Sequence, residues 1–354
     1  MSELLDFSSR PILLNIAIFV VSAAIVWIAG TRMVRLVDRL AVLTGMGQGF
    51  AGMLLLGGIV SLTEISTVST AAFTGSPLLA LNNLLGSESI NLFFLAAVDP
   101  LSGREALTSF IVKPAMLFQV ALGLSLLAVV AFAIVIGDYP MFGVGVWSTA
   151  LFLLCLGALW LSARYEKRKT WVAFDREGRA AAEPSSNSDE LSDETLKLLI
   201  VKLTIAAAVI FAAGFFLSLS GDALADQTGL GTSFVGFLLV GISTSLPELS
   251  TVIAALKLKR HAMAVGDILG SNIFNLLLIF LLDVLFIGDP VLNYAGRFEI
   301  AASLLGIVMM GILLLGLLER RDRTVFKMGY DSAALIVVFL GGVIVLYALS
   351  GQAA

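Results

Sequence analysis

The chain carries two copies of one polar pattern, each embedded in a long apolar run, and this duplication limits what it can fold into. Residues 52–92 align without a gap with residues 236–276, at an offset of 184, and 17 of the 41 positions are identical. The identities include the polar positions, among them Glu64 with Glu248. A self-similar pattern of this kind indicates that two related structural units pack together in the folded protein.

The composition is that of an integral membrane protein. Hydrophobic residues make up 58% of the 354 positions and charged residues 14%, with a mean hydropathy of +0.99. Soluble domains carry about 25% charged residues. The only histidine is His261 and the only cysteine is Cys155, which argues against a zinc site, a haem site and a disulfide framework.

Ten apolar stretches are long enough to cross a bilayer, since a spanning helix needs about 20 mostly apolar residues. The sequence therefore predicts an all-α membrane protein of ten transmembrane helices. The predicted helices are residues 12–31, 48–73, 77–98, 109–137, 142–163, 196–220, 232–256, 262–287, 298–318 and 332–350.

One hydrophilic segment, rich in charged residues and containing an Ala/Pro/Ser stretch, divides these helices into two groups of five. Such a composition is typical of a flexible linker. The predicted domains are a first five-helix repeat at 1–163 with its motif at 57–91, a linker at 164–195, and a second repeat at 196–354 with its motif at 241–275.

The distribution of basic residues predicts the orientation. With ten helices, twenty of the 22 lysines and arginines fall on one side, and only Arg10 and Arg297 fall on the other. The basic side is expected in the cytoplasm, so the linker is predicted to be cytoplasmic and both termini to lie outside. Because each repeat has five helices, the halves cross the membrane in opposite directions, which is the inverted-repeat plan of transporters with a binding site at mid-membrane.

Polar residues at matching positions of the two copies predict that site. Glu64 and Glu248 each lie about 24 Å along their helices, and carboxylates at such depth need cations or protons. A serine three residues earlier shares the helical face of each acid, and each copy also has a serine and an asparagine four residues apart. These are hard oxygen ligands, which suit Ca²⁺ or Na⁺.

A proline inside the second copy predicts a broken helix. Pro247 removes a backbone donor and clashes with the preceding turn, so the carbonyls of Ser243 and Thr244 are expected to be free to bind ions. In the first copy Thr63 replaces the proline, and the bend is expected at Gly57 and its neighbouring glycine.

The second copy reads Gly-x-Ser-Thr-Ser-Leu-Pro-Glu and then Gly-Asp-x-x-Gly-Ser-Asn-x-x-Asn. It resembles the second α-repeat of the sodium/calcium exchanger family of cation/Ca²⁺ antiporters, and the first copy resembles a degenerate version of it. The resemblance implies that the repeat acids hold Ca²⁺ and Na⁺ in alternation, with nearby serines, amides and backbone carbonyls. Carried over to this chain, the side-chain ligands are Glu64, Glu248, Ser61, Ser245, Ser87, Ser271, Asn91 and Asn275, and the carbonyl ligands are those of Gly57, Val60, Ser243 and Thr244.

Glu88 departs from the family pattern, which has an asparagine at this position. The matching residue of the second copy, Asn272, keeps that asparagine. An acid at this position can join the site, accept a proton, or face another helix as a protonated structural group, and the sequence leaves these alternatives open. Adjacent residues of a helix point about 100° apart, so Glu88 and Ser87 face different directions.

Two further pairs of matching positions carry polar groups. Asn83 and Asp267 are predicted to be vestibule groups, outside and inside respectively, with a role at a helix start as the alternative. Asp99 and Asp283 lie at the far ends of their helices and are expected to be solvated.

The predicted function is secondary antiport of Ca²⁺ against Na⁺ by alternating access. The resemblance implies that helices one and six slide over the other eight. The alternatives are exchange of Ca²⁺ or another cation for protons, an uncoupled cation channel, and a relative whose degenerate first copy no longer transports. An intramembrane enzyme ranks last because the only histidine lies at a helix end, which leaves no Ser/His dyad.

The remaining expectations concern surroundings and partners. The transported ions are Ca²⁺ and Na⁺, with no cofactor and no nucleic-acid partner. The chain is expected to work as a monomer in a lipid bilayer, most simply a bacterial inner membrane.

Overall fold

The computed structural model describes residues 7–45, 48–102, 106–110, 114–141, 143–166, 196–228, 232–319, 324–325 and 327–350. Within these ranges, eight helices are long and apolar enough to cross a membrane. Two bent helix pairs bring the number of spans to ten if each pair counts as one. The all-α class and the ten spans predicted from the sequence are thereby confirmed, whereas residues 167–195 of the predicted linker lie outside the described residues.

The two halves repeat the same order of elements. The first half consists of α1 (Ile12–Thr44), α2 (Gln48–Ala51), a π-helical segment (Gly52–Leu56), α3 (Gly57–Val60), α4 (Leu62–Thr74), α5 (Pro77–Val98), α6 (Pro114–Ile136), the hairpin strands β1 (Pro140–Met141) and β2 (Val144–Gly145), and α7 (Val146–Glu166). The second half consists of α8 (Leu196–Thr228), α9 (Thr232–Phe234), a second π-helical segment (Val235–Val240), α10 (Gly241–Thr244), α11 (Leu246–Lys257), α12 (His261–Leu285), α13 (Arg297–Glu319), the hairpin strands β3 (Thr324–Val325) and β4 (Met328–Gly329), and α14 (Tyr330–Ser350).

The first helix of each half is longer than its apolar run. Both α1 and α8 have 33 residues, so they extend past the predicted ends at residues 31 and 220. Neither extension contains a proline, so nothing ends either helix where its apolar run ends. The first helix stops only at Gly45, whose positive φ of 66° forms a left-handed cap.

The second span of each half breaks at a serine. The helices bend by 40° at Ser61 and by 44° at Ser245, where ψ is 1° and 3°. In each half, a π-helical segment is followed by one short turn of α-helix, and the break comes directly after that turn. Pro247 follows the second break, but the first half bends equally with Thr63 in its place, so proline is not required for the bend.

The predicted hinge at Gly57 is therefore wrong, because the break comes four residues later. Gly57 instead permits close packing, since a Cβ there would lie 2.7 Å from the backbone nitrogen of Ser271 in α12. Glycines also bring the two halves together elsewhere. A Cβ on Gly86 of α5 would overlap the backbone of Phe237, and a Cβ on Gly270 of α12 would overlap that of Met53. Each third span thus packs directly on the π-helical segment of the other half.

Asp99 and Asp283 are buried, so the expectation that they are solvated is wrong. Each carboxylate accepts a backbone N–H eight residues further along the chain, at 2.7 Å in both halves. Each also accepts the N–H of a hairpin glycine from the opposite half: Gly329 donates to Asp99 at 2.7 Å and Gly145 donates to Asp283 at 2.5 Å. These acids hold the hairpins, which the apolar pattern did not reveal, against the core.

Candidate cation-binding site

The two repeat acids, Glu64 and Glu248, occupy equivalent places just after the helix breaks. Each is the third residue of its helix, α4 or α11, and each is 0% exposed. The first turn of a helix presents free N–H groups and the positive end of its dipole, which favours a negative charge there. The negative charges of the two carboxylates repel each other, so a cation bound nearby would relieve this repulsion.

Several buried polar atoms of the repeat acids and of other predicted ligands have no hydrogen-bond partner. They are Oε1 of Glu64, both carboxylate oxygens of Glu248, the hydroxyl of Ser245, Oδ1 of Asn91 and both amide atoms of Asn275. A buried acceptor without a donor costs about 1–3 kcal/mol, and more if it is charged. All but the amide nitrogen are hard oxygens, the kind of ligand that Ca²⁺ and Na⁺ prefer.

Thr63 connects the two halves at this point. Its hydroxyl lies 2.6 Å from Oε2 of Glu64, 3.0 Å from the carbonyl of Val60 and 3.2 Å from the carbonyl of Thr244. A hydroxyl donates one proton, so at any moment two of these three oxygens receive no hydrogen bond from Thr63. Sequence reasoning noted Thr63 only as the replacement for Pro247 and missed this role.

The predicted ligands Ser61, Ser271 and Gly57 also come together. The carbonyl of Gly57 lies 2.8 Å from the hydroxyl of Ser61 and 3.4 Å from that of Ser271. Ser271 is in turn beside Glu248, although no hydrogen bond of normal geometry joins them. One carbonyl, two hydroxyls and one carboxylate from both halves thus lie on one side of the site.

Ser87 and Thr244 meet on another side, with their hydroxyls 3.4 Å apart. Thr244 donates to Oδ1 of Asn83 at 3.0 Å, and Asn83 is 0% exposed. Asn83 therefore supports Thr244 from behind and lines no open vestibule in this conformation. The hydroxyl of Ser243 donates to the carbonyl of Leu239 at 2.7 Å, so its proton is already used within its own helix.

Asp267 contributes a third buried carboxylate near the repeat acids. It is 0% exposed, and Thr251 donates a hydrogen bond to its Oδ2 while Oδ1 has no partner. It is close enough to Glu248 for electrostatic repulsion. Since the matching position in the first half is the neutral Asn83, the site is more negative on the Asp267 side.

Glu88 is buried, with Asn272 and Cys155 among its neighbours. Its carboxylate interacts electrostatically with Cys155 of α7, and neither of its oxygens has a hydrogen-bond partner. Its backbone carbonyl accepts the Asn272 amide at 3.1 Å, and Asn272 accepts the Asn91 amide at 2.9 Å. Asn91 is thus oriented by the other half of the protein, while its Oδ1 remains free.

Another buried acid, Glu299 of α13, was missed by the sequence analysis. Asn82 donates to its Oε1 at 2.8 Å, the hydroxyl of Ser233 lies 3.4 Å from the same oxygen, and the Gly296 N–H donates to its Oε2 at 2.7 Å. Glu299 differs from the repeat acids because the protein already supplies donors to both of its oxygens. Its place in the first turn of α13 was the only available sequence signal.

The family model for the sodium/calcium exchanger protein matches residues 14–164 and 198–349, one match in each half. The chain belongs to the sodium/calcium exchanger family. It is therefore a membrane protein of a family that exchanges Ca²⁺ and other cations, and the matched segments coincide with the two repeats.

Individual relatives agree with this assignment. The inner membrane protein YrbG of Escherichia coli K12 is 27% identical over 273 residues, which cover 75% of this chain and 78% of YrbG. The sodium/calcium exchanger MaX1 of Methanosarcina acetivorans is 31% identical over 137 residues, or 38% of each chain. The sodium-calcium exchanger NCX_Mj, in crystals soaked with Na⁺ and Sr²⁺, superposes with a TM-score of 0.66 at 19% identity, over 94% of this chain and 99% of that one. This likeness establishes the inverted-repeat fold.

Proposed function

We propose that this protein exchanges Ca²⁺ for Na⁺ at a single site between the two repeats. The observation that carries the proposal is the group of buried, unpartnered oxygens around Glu64 and Glu248. The two carboxylates carry a charge of −2 when ionised, which one Ca²⁺ or two Na⁺ would neutralise. Because the same oxygens bind either ion, occupancy by one excludes the other, and this competition couples the two fluxes.

The proposed ligands supply oxygens from both halves. Hydroxyl, amide and carbonyl oxygens complete the coordination of a hard cation that the carboxylates alone would leave unfilled. The proposed set is Glu64, Glu248, Ser61, Ser245, Ser87, Ser271, Asn91 and Asn275, with the carbonyls of Gly57, Val60, Ser243 and Thr244.

Alternating access is proposed to occur by movement of α1 and α8 across the rest of the protein. Each crosses a broken span at a glycine: Gly30 of α1 packs against Ser250, and Gly214 of α8 packs against Thr63. The two glycines are 184 residues apart, so they are equivalent positions. A glycine at each crossing lets α1 and α8 lie directly against the broken spans, which supports a mechanical link between these helices and the site.

The proposed setting is a bacterial inner membrane, with the chain working as a monomer. Both termini are proposed to lie outside and residues 164–195 in the cytoplasm, between a repeat at 1–163 and a repeat at 196–354. The distribution of lysine and arginine supports this orientation.

The test is uptake of radioactive Ca²⁺ into proteoliposomes loaded with Na⁺ and diluted into Na⁺-free buffer, with Glu248→Gln measured beside the wild type. Uptake that requires internal Na⁺ and is absent in the variant would support the proposal. Loading with K⁺ at equal ionic strength is the control for osmotic and ionic effects.

Other outcomes would replace the proposal with one of its rivals. Uptake driven by an outward proton gradient without Na⁺ would make the protein a Ca²⁺/H⁺ exchanger, since two protons neutralise the same carboxylates. Uptake that is insensitive to both gradients yet lost in Glu248→Gln would indicate an uncoupled cation channel. No uptake under any gradient would indicate that the degenerate first copy has lost transport.

A further inference from the structure

A groove of about 490 Å³ runs between α1 and α8. The lining residues follow one stripe on each helix, at a spacing of three and four residues, so a continuous face of each helix forms a wall. On α1 they are Ile25, Ile28, Ala29, Arg32, Arg35, Leu36 and Arg39, and on α8 they are Lys202, Ile205, Ala206 and Val209.

The groove is apolar at one end and basic at the other. Ile28 and Ile205, which are 52% and 58% exposed, belong to the apolar runs of the two helices. The basic residues of the groove lie toward the ends of those runs, on the side that the distribution of lysine and arginine assigns to the cytoplasm. The polarity therefore changes along the groove at the depth where a bilayer changes from hydrocarbon to headgroups.

The charge of the groove is of one sign. Four of the lining residues are cationic and none is acidic. Arg32 and Arg35 form no ion pair with the residues that the structure describes. The nearby acid of α1, Asp38, is turned to another partner, because it pairs with Arg260 at 2.9 Å.

We propose that this groove, formed by α1 and α8, binds an anionic phospholipid. The phosphate would lie beside Arg32 and Arg35, and an acyl chain would lie along Ile28 and Ile205. Basic pockets between transmembrane helices on the cytoplasmic side are suited to acidic headgroups. A soluble anion would leave the apolar half of the groove unused, and a zwitterionic lipid would place an ammonium group among four cations.

The site has a consequence for transport that rests on the proposed function. The walls of the groove are the two helices proposed to slide, so a bound lipid would tie the moving pair to the plane of the cytoplasmic headgroups. Binding itself does not depend on transport, so a failure of one proposal is distinguishable from a failure of the other.

The test measures lipid binding to the full-length protein. The protein is delipidated in detergent and titrated with dioleoylphosphatidylglycerol or dioleoylphosphatidylcholine, and native mass spectrometry counts the bound lipids. Phosphatidylglycerol is expected to bind at one lipid per protein, and more tightly than phosphatidylcholine. Since a cation near an acidic lipid headgroup contributes about fivefold in affinity, Arg32→Gln/Arg35→Gln should weaken phosphatidylglycerol binding about 25-fold.

The matched control removes two positive charges elsewhere on the same side of the membrane. Arg164→Gln/Lys257→Gln has the same change in net charge, and neither residue lines the groove. It should change the affinity by no more than about twofold, since the sites are separate. Equal losses in the two double variants, or equal affinities for the two lipids, would overturn the proposal.

A second variant tests the apolar half without touching the charges. Ile205→Trp fills the groove beside Lys202 and should abolish one-to-one binding of phosphatidylglycerol while the chromatographic profile of the protein stays unchanged. Undiminished binding would mean that the cations attract headgroups without a groove. Displacement of phosphatidylglycerol by equimolar glycerol phosphate would likewise overturn the proposal, because a free anion would then suffice.

Discussion

The substitution Glu248→Gln should have opposite effects on the ion-free and the Ca²⁺-loaded protein. Both oxygens of Glu248 are buried without a hydrogen-bond donor, and Glu64 and Asp267 are near enough to repel its charge. A neutral amide of the same shape removes that repulsion, so the ion-free variant should be at least as stable as the wild type. The same change removes a charged ligand from the Ca²⁺ site.

The loss of binding can be estimated. Removing one partner of a buried charge pair costs about 3–5 kcal/mol, and the lower value corresponds to a roughly 150-fold larger dissociation constant for Ca²⁺. At a Ca²⁺ concentration of about 100 times the wild-type dissociation constant, Ca²⁺ stabilises the wild type by about 2.7 kcal/mol. The variant should gain only about 0.3 kcal/mol at that concentration, by the same relation. The measurement is thermal unfolding of detergent-solubilised protein with and without Ca²⁺.

Glu299→Gln is the matched control, because it neutralises another buried acid by the same substitution. Asn82 and the backbone of Gly296 already donate to the Glu299 carboxylate. Losing hydrogen bonds to a charged group should destabilise the ion-free protein by about 1.5–3 kcal/mol and leave the Ca²⁺-induced shift intact. Full Ca²⁺ stabilisation of Glu248→Gln, or the same behaviour of both variants, would refute the argument that unpartnered oxygens mark the ion site.

Three further predictions use other contacts of the structure. Thr63→Val should lower the free energy of unfolding by about 1.5–3 kcal/mol, because Glu64 loses its hydroxyl donor, whereas Thr63→Ser should keep the wild-type stability. Thermal unfolding of the two variants measures this difference, and equal losses of stability would contradict the role of the hydroxyl. Asp38→Arg should increase the reactivity of cysteines introduced at the cytoplasmic end of α1, because it breaks the 2.9 Å pair with Arg260. The double variant Asp38→Arg/Arg260→Asp should restore the protection of these cysteines, and continued reactivity in it would show that the ion pair does not hold α1. Asp267→Asn should weaken the binding of Ca²⁺ more than that of Na⁺, by roughly tenfold for a loss of about 1.4 kcal/mol, because a divalent ion gains twice as much from a nearby charge. Competition of Na⁺ with Ca²⁺ in proteoliposomes measures the ratio of the two affinities, and an unchanged ratio would show that the charge of Asp267 does not act on the bound ion.

Much of the fold was predictable from the sequence because a membrane imposes simple rules. Apolar length gave the ten spans, and the repeat at an offset of 184 residues gave their grouping. The helical ends were less predictable: α1 continues to Thr44 because a helix in the headgroup region keeps its backbone bonds whether its side chains are apolar or charged. The predicted site residues remain predictions, and the structure brings most of them into contact around the two repeat acids.

The residue pattern alone was enough to predict that the repeat acids are buried and which residues share a helical face with each of them. It singled out the paired acids Glu64 and Glu248, because a carboxylate that recurs inside an apolar span is costly unless a cation or a proton neutralises it. It could not give the relations between helices, since periodicity fixes a direction only relative to the helix axis. The contacts between helices appear only in the folded protein: Thr63 reaches the carbonyl of Thr244, Asn272 donates to the backbone carbonyl of Glu88, and a hairpin of the other half covers Asp99. Each of these depends on how one helix is rotated against another, and that rotation is set by packing between segments that are far apart in the chain.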